Sequence, residues 1–298
     1  MNICIYHANC IDGFGAATVV NRHFLSKGEP CKFHAGVYGN APPDVTDADV
    51  YLVDFSYRRD VIEEMLKVAK SVTIIDHHKS AIEDLADLHD PKLSMYTDVK
   101  YSGAVLAWRY FQECSEVPTI LRHIQDRDLW KHELHGTNEI CASLYSHEFD
   151  FDTWDEFYEP AGQADLFTQG ISLVRARNKS IKAALEQVPE WTRILGYKVP
   201  VVNCSASISS EVAQGLYKMY STPFAATYSD KHDKRVFSMR SDGRTDVSAI
   251  AFSLGGGGHK AAAGFSTSRS RVTVRRTIKQ VLKSWWIIIA NIAGNRTC

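Results

Sequence analysis

An excess of charge of either sign is missing from this 298-residue sequence, in which 34 Lys and Arg stand against 35 Asp and Glu for a formal net charge of −1. Without a basic surplus there is no broad face for long duplex nucleic acid, and a short or small nucleotide partner fits better than a polymer gripped along its length. Paired cysteines are missing too. The seven cysteines are scattered and odd in number, with no Cys-x-x-Cys pair, which argues against a disulfide framework and for reduced thiols in a cytoplasmic protein. No signal-peptide pattern precedes the first strand-like run. The most apolar stretch, Trp285-Trp286-Ile287-Ile288-Ile289-Ala290-Asn291-Ile292, falls well short of the ~20 residues that cross a bilayer. It is expected to pack on its own domain or on a partner subunit, a homodimer being compatible, and not on a membrane. The acidic, aromatic segment 149–157 lacks the glycine and terminal Glu of a calcium-binding loop and reads as a surface loop or helix start.

What is present is a recurring arrangement of acids and imidazoles at the ends of apolar runs. Val72-Thr73-Ile74-Ile75 reads as a buried strand, and Asp76-His77-His78 follows it at once. Asn2-Ile3-Cys4-Ile5-Tyr6 leads into His7, with Asp12 five residues later and Gly13 and Gly15 opening a small-residue helix. Val50-Tyr51-Leu52-Val53 ends in Asp54, and an apolar helical stretch ends in Asp126-Arg127-Asp128. Open α/β sheets bind their ligands at the carboxyl ends of the strands, where these side chains fall. Carboxylates and neutral imidazoles without thiolate pairs suit Mn²⁺ or Mg²⁺ better than a structural Zn²⁺. Two such ions would polarise a phosphoryl group and make hydroxide available at neutral pH, so metal-assisted phosphoester hydrolysis is the expected chemistry.

Taken together, His7…Asp12-Gly13, Asp54, Asp76-His77-His78 and Asp126 resemble the ordered motifs of the DHH phosphoesterase superfamily. Far downstream, residues 255–265, Gly-Gly-Gly-Gly-His-Lys-Ala-Ala-Ala-Gly-Phe, are similar to the glycine-rich signature of its associated DHHA1 domain. The resemblance spans roughly residues 1–268, and within the superfamily the chain looks like the oligoribonuclease and cyclic-nucleotide phosphodiesterase branch. It implies His7, Asp12, Asp54, His77 and Asp126 as ligands of two Mn²⁺ ions, with Mg²⁺ as a substitute and Asp54 bridging. Asp128 is the alternative to Asp126. Asp76 would orient its neighbours, and His78 would contact the scissile phosphate as donor or acid. Arg240, Gly256, Gly257, Gly258 and His259 would hold the remainder of a short single-stranded RNA or small nucleotide. One departure stands out: many members carry a second Asp in the first motif, whereas this chain has Asn9 and Cys10 there, so one metal position is expected to be weaker. A non-catalytic nucleotide- or metal-binding protein, and an inorganic pyrophosphatase, are the rival readings.

The expected architecture is α/β. Strand-like runs at 2–6, 31–37, 50–53 and 72–75 alternate with helical runs at 15–25 and 58–69, which implies a mainly parallel sheet flanked by helices. In the second helix Val61, Met65, Leu66 and Ala69 are expected to form the apolar face. Ser102 is read as the N-cap of a helical section reaching about Gln125, and residues 166–188 as a long connecting helix. A catalytic metal-binding domain over 1–190 and a smaller α/β, DHHA1-like substrate-binding domain over 191–298, with the active site in a cleft between them, complete the expectation. In the second domain, four consecutive glycines followed by a helix start would bring backbone N–H groups to a phosphate.

Overall fold

The computed structural model describes residues 1–112 and 115–268, in two compact units that divide at Asn178/Lys179. The apolar segment 285–292 lies outside the described residues. The division falls within the long helix Pro160–Leu185, which runs on from the first unit into the second.

The first unit alternates strand and helix: β1 Asn2–His7, α1 Ile11–Ser26, β2 Cys31–Gly36, β3 Asp49–Val53, α2 Arg59–Val68, β4 Ser71–Asp76, α3 Lys79–Asp84 and β5 Leu93–Thr97. The helices α4 Gly103–Phe111, α5 Thr119–Asp128, α6 Thr137–Leu144, α7 Phe151–Glu156 and α8 Pro160–Leu185 follow. The sheet order is β2-β1-β3-β4-β5, and every pairing is parallel. The inner strands β1, β3 and β4 carry near-continuous apolar runs because both faces are covered, whereas the edge strands β2 and β5 are half-exposed. Ile3, Ile5, Val50, Leu52, Val72 and Ile74 pack on one side with Ile62, Met65 and Leu66 of α2. Cys4, Val53 and Ile75 point to the other, against Phe14 of α1 and Leu106 of α4. The apolar face of α2 is Ile62, Met65, Leu66 and Ala69, with Ile62 in the place expected of Val61; this set keeps the i, i+3, i+4, i+7 spacing.

The helical section expected to run from Ser102 to Gln125 is two helices, α4 and α5, with Pro118 at the N-cap of the second. Proline lacks the N–H and steers the preceding residue out of the helical region, so a continuous helix cannot cross Val117-Pro118. Ser102 caps α4 as expected, its hydroxyl accepting from Val105 N.

The second unit carries β6 Glu190–Ile194, β7 Tyr197–Asn203, α9 Ser209–Tyr220, β8 Phe224–Lys231, β9 Lys234–Ser241, α10 Val247–Ser253, β10 Gly257–His259 and β11 Ala262–Ser268. They form a six-stranded sheet of order β10-β11-β9-β8-β7-β6, antiparallel except for the β7–β8 pair. Val247, Ile250 and Ala251 of α10 cover one face with Phe224, Phe237 and Met239. Val212 and Leu216 of α9 cover the other with Val202 and Ala225.

Candidate metal centre

The strand order 2-1-3-4-5 reverses direction between β1 and β3, and crevices at such switch points are where open α/β sheets bind ligands. His7 is the last residue of β1 and Asp54 follows β3, so these two flank the switch point. Asp76 ends the neighbouring β4, and His77 and His78 lead into α3. Asp12 enters from the first turn of α1, and Asp128 from the last residue of α5.

Two glycines let the elements approach closely enough. A Cβ on Gly13 would strike the backbone and side chain of His7, and one on Gly103 would fall on the side chain of Asp54. Asp54 itself has φ +53°, a left-handed conformation that Asp tolerates better than most residues. The N-terminus of α4 receives Asp12: Gly103 N donates to Oδ2 at 2.7 Å and Ala104 N to Oδ1 at 3.0 Å. Peptide N–H groups at a helix start favour a carboxylate there.

The side chains converge. His77 Nε2 lies 3.0 Å from Asp54 Oδ1, 3.5 Å from Asp128 Oδ2 and 3.6 Å from Asp12 Oδ2. The other oxygen of Asp54, Oδ2, lies 3.5 Å from His7 Nδ1. Two groups of three donors result, His7–Asp54–His78 and Asp12–His77–Asp128, each with its ligand atoms within 4.8 Å of one another. Asp76 stands behind them. Its Oδ1 accepts from His77 N at 2.8 Å and lies 2.7 Å from His78 Nδ1, which fixes the His78 ring. Cys10 is the N-cap of α1, and its side chain makes no capping bond. Tyr38 stacks edge-on against His7, with ring centroids 5.5 Å apart, and 38% of its surface is exposed.

Charge is crowded here. Asp12, Asp54 and His77 are each 1% exposed or less. Burial, then the neighbouring Asp54 and Asp128, push the Asp12 carboxyl well above the usual carboxylate range. Burial likewise raises Asp128, again against Asp54. Burial opposes ionisation of Asp54 as well, but the imidazoles of His7 and His77 beside it outweigh that and hold the carboxylate well down. Burial disfavours the charged imidazole of His77, yet Asp128 and Asp54 hold it well above its ordinary value, and Asp54 does the same for His7. Asp128 Oδ2 is buried without a hydrogen-bond partner among the described residues. Three carboxylates around one imidazole, with a buried oxygen left over, are electrostatically short of a cation. Oxygen and imidazole donors fit a hard or borderline divalent ion.

Asp126 is not among the side chains brought together here. Its carboxylate accepts from Glu133 N at 2.9 Å, Leu134 N at 3.1 Å and Thr137 Oγ1 at 2.6 Å, which organises the turn between α5 and α6. Asp128 takes the place beside His77. Two residues along a helix turn the side chain by about 200°, so only one of the two acids can face the site.

The residues expected to hold substrate lie in the second unit. His259, Ala262 and Arg240 are register partners across β10, β11 and β9, so they share one face of that sheet with a small residue between them. The Arg240 guanidinium donates to Ser210 Oγ at 2.6 Å and Met239 O at 2.8 Å. The glycine run departs from its expected form. Gly257 and Gly258 belong to β10, and strand β11 follows His259 where a helix start was expected. Gly256 and Gly258 are required by packing, because a Cβ on either would meet the β11 backbone at Gly264 and Ala262.

Residues 195–285 match the model of the DHHA1 domain family. The chain is 28% identical over 289 residues to an uncharacterized protein of Acanthamoeba polyphaga mimivirus, covering 90% of this chain and 68% of that protein. RecJ of Thermus thermophilus in complex with Mn²⁺ shares its fold at a TM-score of 0.50 and 15% identity, over 90% of this chain and 50% of that one. A pGpG-specific phosphodiesterase of Vibrio cholerae, PggH, aligns at a TM-score of 0.43 and 13% identity over 99% and 100% of the two chains. The DHHA1 match is confined to residues 195–285, and the likeness to RecJ is one of α/β fold.

Proposed function

We propose that this chain is a divalent-metal-dependent phosphoesterase that hydrolyses phosphodiester or phosphomonoester bonds of short oligoribonucleotides, dinucleotides or related small nucleotides. The observation that carries the reading is Asp54, whose two oxygens face different donor groups, Oδ2 toward His7 and Oδ1 toward His77. A carboxylate so placed would serve both donor groups. Residues 1–190 then form the catalytic domain and 191–298 the substrate-binding domain.

Mn²⁺ or Mg²⁺ at these positions supplies Lewis acidity toward the phosphoryl oxygens and lowers the pKa of the attacking water. Asp12, His77 and Asp128 would hold one ion, and His7 and Asp54 the other. Asp76 fixes the His78 ring through Nδ1, so that a protonated His78 donates from Nε2 to the developing charge or to the leaving oxygen. Tyr38 offers an exposed ring beside His7, and aromatic faces stack on bases without regard to sequence. That ring and the DHHA1 domain with Arg240, Gly256–Gly258 and His259 favour a nucleotide over pyrophosphate. The balanced net charge suits a short single-stranded substrate, and the free thiols suit a reducing cytoplasm.

The test is incubation with Mn²⁺ and a panel of dinucleotides, 3′,5′-bisphosphonucleotide, cyclic dinucleotides and pyrophosphate. Mn²⁺ is expected to serve at least as well as Mg²⁺, and chelation to abolish turnover. Undiminished hydrolysis after exhaustive chelation sinks the metal mechanism, and exclusive use of pyrophosphate sinks the nucleotide reading.

A further inference from the structure

A cavity of about 610 Å³ in the first unit is lined by His23, Tyr51, Tyr96, Arg109, Tyr110 and Phe111, none of them part of the metal centre. His23 lies in the last turn of α1, about 16 Å along the helix from Asp12 at 1.5 Å per residue, and Arg109, Tyr110 and Phe111 end α4. Tyr51 of β3 pairs with Thr73, and Tyr96 of β5 pairs with Ile75, two residues further along β4. Both tyrosines therefore stand on the sheet face that α1 and α4 cover. The rings form a continuous wall. The Phe111 centroid lies 4.7 Å from that of His23, 5.5 Å from Tyr51 and 4.9 Å from Tyr110, and Tyr110 lies 5.6 Å from Tyr96, which is exposed. Arg109 brings the positive charge. Its guanidinium lies over the Tyr101 ring at 3.8 Å and forms no ion pair among the described residues.

We propose that this cavity is a second binding site, which takes a planar aromatic ring bearing an anionic group, as in a nucleoside monophosphate. Aromatic side chains stack on a base whatever its identity, and a guanidinium presents a planar fork of N–H donors that suits a phosphate. The volume falls within the range of pockets that enclose small ligands, and an aromatic lining with a few polar groups is their usual composition. A ligand without the ring leaves the aromatic wall uncovered, and one without the charge leaves Arg109 to solvent, so tight binding needs both parts. The helices α1 and α4 reach the metal centre at their opposite ends, through Asp12 and Gly103, which keeps the two sites separate.

The experiment is equilibrium dialysis of the full chain against labelled GMP in the presence of chelator. The unmutated chain should bind GMP saturably, and guanosine or ribose 5-phosphate roughly tenfold more weakly or worse, the scale of one charge-assisted hydrogen bond or one stacked ring. Arg109→Gln should weaken GMP by a similar factor and leave guanosine unchanged. Tyr96→Ala should weaken GMP and guanosine alike. Both variants should hold Mn²⁺ as the unmutated chain does, which shows that they fold. Independently of any variant, 8-azido-GMP should on irradiation label the unmutated chain at or beside Tyr96 and Tyr110, and excess GMP should protect these positions. Absence of saturable GMP binding, equal effects of Arg109→Gln on GMP and guanosine, or photolabel confined to residues outside the cavity overturns the proposal and leaves the metal centre standing. Failure of the unmutated chain to bind Mn²⁺ overturns the metal centre alone.

Discussion

Asp126 and Asp128 sit two residues apart on one helix and have opposite tasks. Replacing Asp126 with Ala strips the acceptor from Glu133 N, Leu134 N and Thr137 Oγ1. An unsatisfied donor costs about 1–3 kcal/mol, so Asp126→Ala should unfold at lower denaturant and bind metal normally once folded. Asp128→Ala should leave the unfolding midpoint of the chelated protein unchanged or raised, because it relieves repulsion among three carboxylates. It should weaken Mn²⁺ binding and turnover severely. Equal metal affinity in the two variants, measured by titration calorimetry, contradicts the placement of Asp128. At His259 the expected loss concerns substrate alone. Removing one partner of a charge-assisted hydrogen bond, at about 1–3 kcal/mol, lowers kcat/KM on a nucleotide by roughly ten- to a hundredfold or more. Metal affinity should survive, and bis-p-nitrophenyl phosphate should be affected much less.

At the scale of elements, the site depends on how closely α4 approaches β3. Gly103 is the first residue of α4, and its missing Cβ is the space that Asp54 occupies. Gly103→Ala should therefore displace Asp54 or the helix start, at a cost of about 1–3 kcal/mol for an overpacked site. Alanine ordinarily favours a helix over glycine, so a stabilised variant with intact metal affinity contradicts the close approach. The loss should appear together in thermal stability and in Mn²⁺ affinity, since the α4 N-terminus also holds Asp12 through Gly103 N and Ala104 N.

For the whole molecule, the buried charges predict how stability depends on pH without metal. His7 and His77 titrate above their ordinary 6.5 in the folded chain, held there by carboxylates. Such a group adds stability below its unfolded pKa, and the gain is lost as pH rises through its folded value. Asp12 and Asp128, raised above 3.8, act in the same sense. Asp54, held below 3.8, acts oppositely: its contribution stands above that value and disappears only in strong acid. The chelated protein should therefore lose stability as pH rises from about 6 to about 8, above the ordinary imidazole pKa near 6.5. Mn²⁺ must displace the same protons, so its affinity should rise over that window. At 100 times its Kd it should add about 2.7 kcal/mol. Urea unfolding at both pH values, with chelator and with Mn²⁺, checks this; stability that rises with pH in chelator contradicts it.

Much of this organisation is legible in the residues themselves. The alternation of Val- and Ile-rich runs with amphipathic segments determines a parallel sheet between helices, because only strands covered on both faces are apolar throughout. His7, Asp54 and Asp76-His77-His78 stand at strand exits whatever the packing, and the carboxyl edge of such a sheet is where ligands gather. Other features depend on contacts between residues far apart in the chain. Whether Asp126 or Asp128 faces His77 turns on the rotation of α5 about its axis, and that rotation is set by packing of Ile120, Leu121 and Ile124. In the glycine run, composition suggested a loop open to phosphate. Backbone pairing between residues 257–259 and 262–264 made it a strand, since glycines that free a backbone to meet an anion equally let it meet another strand.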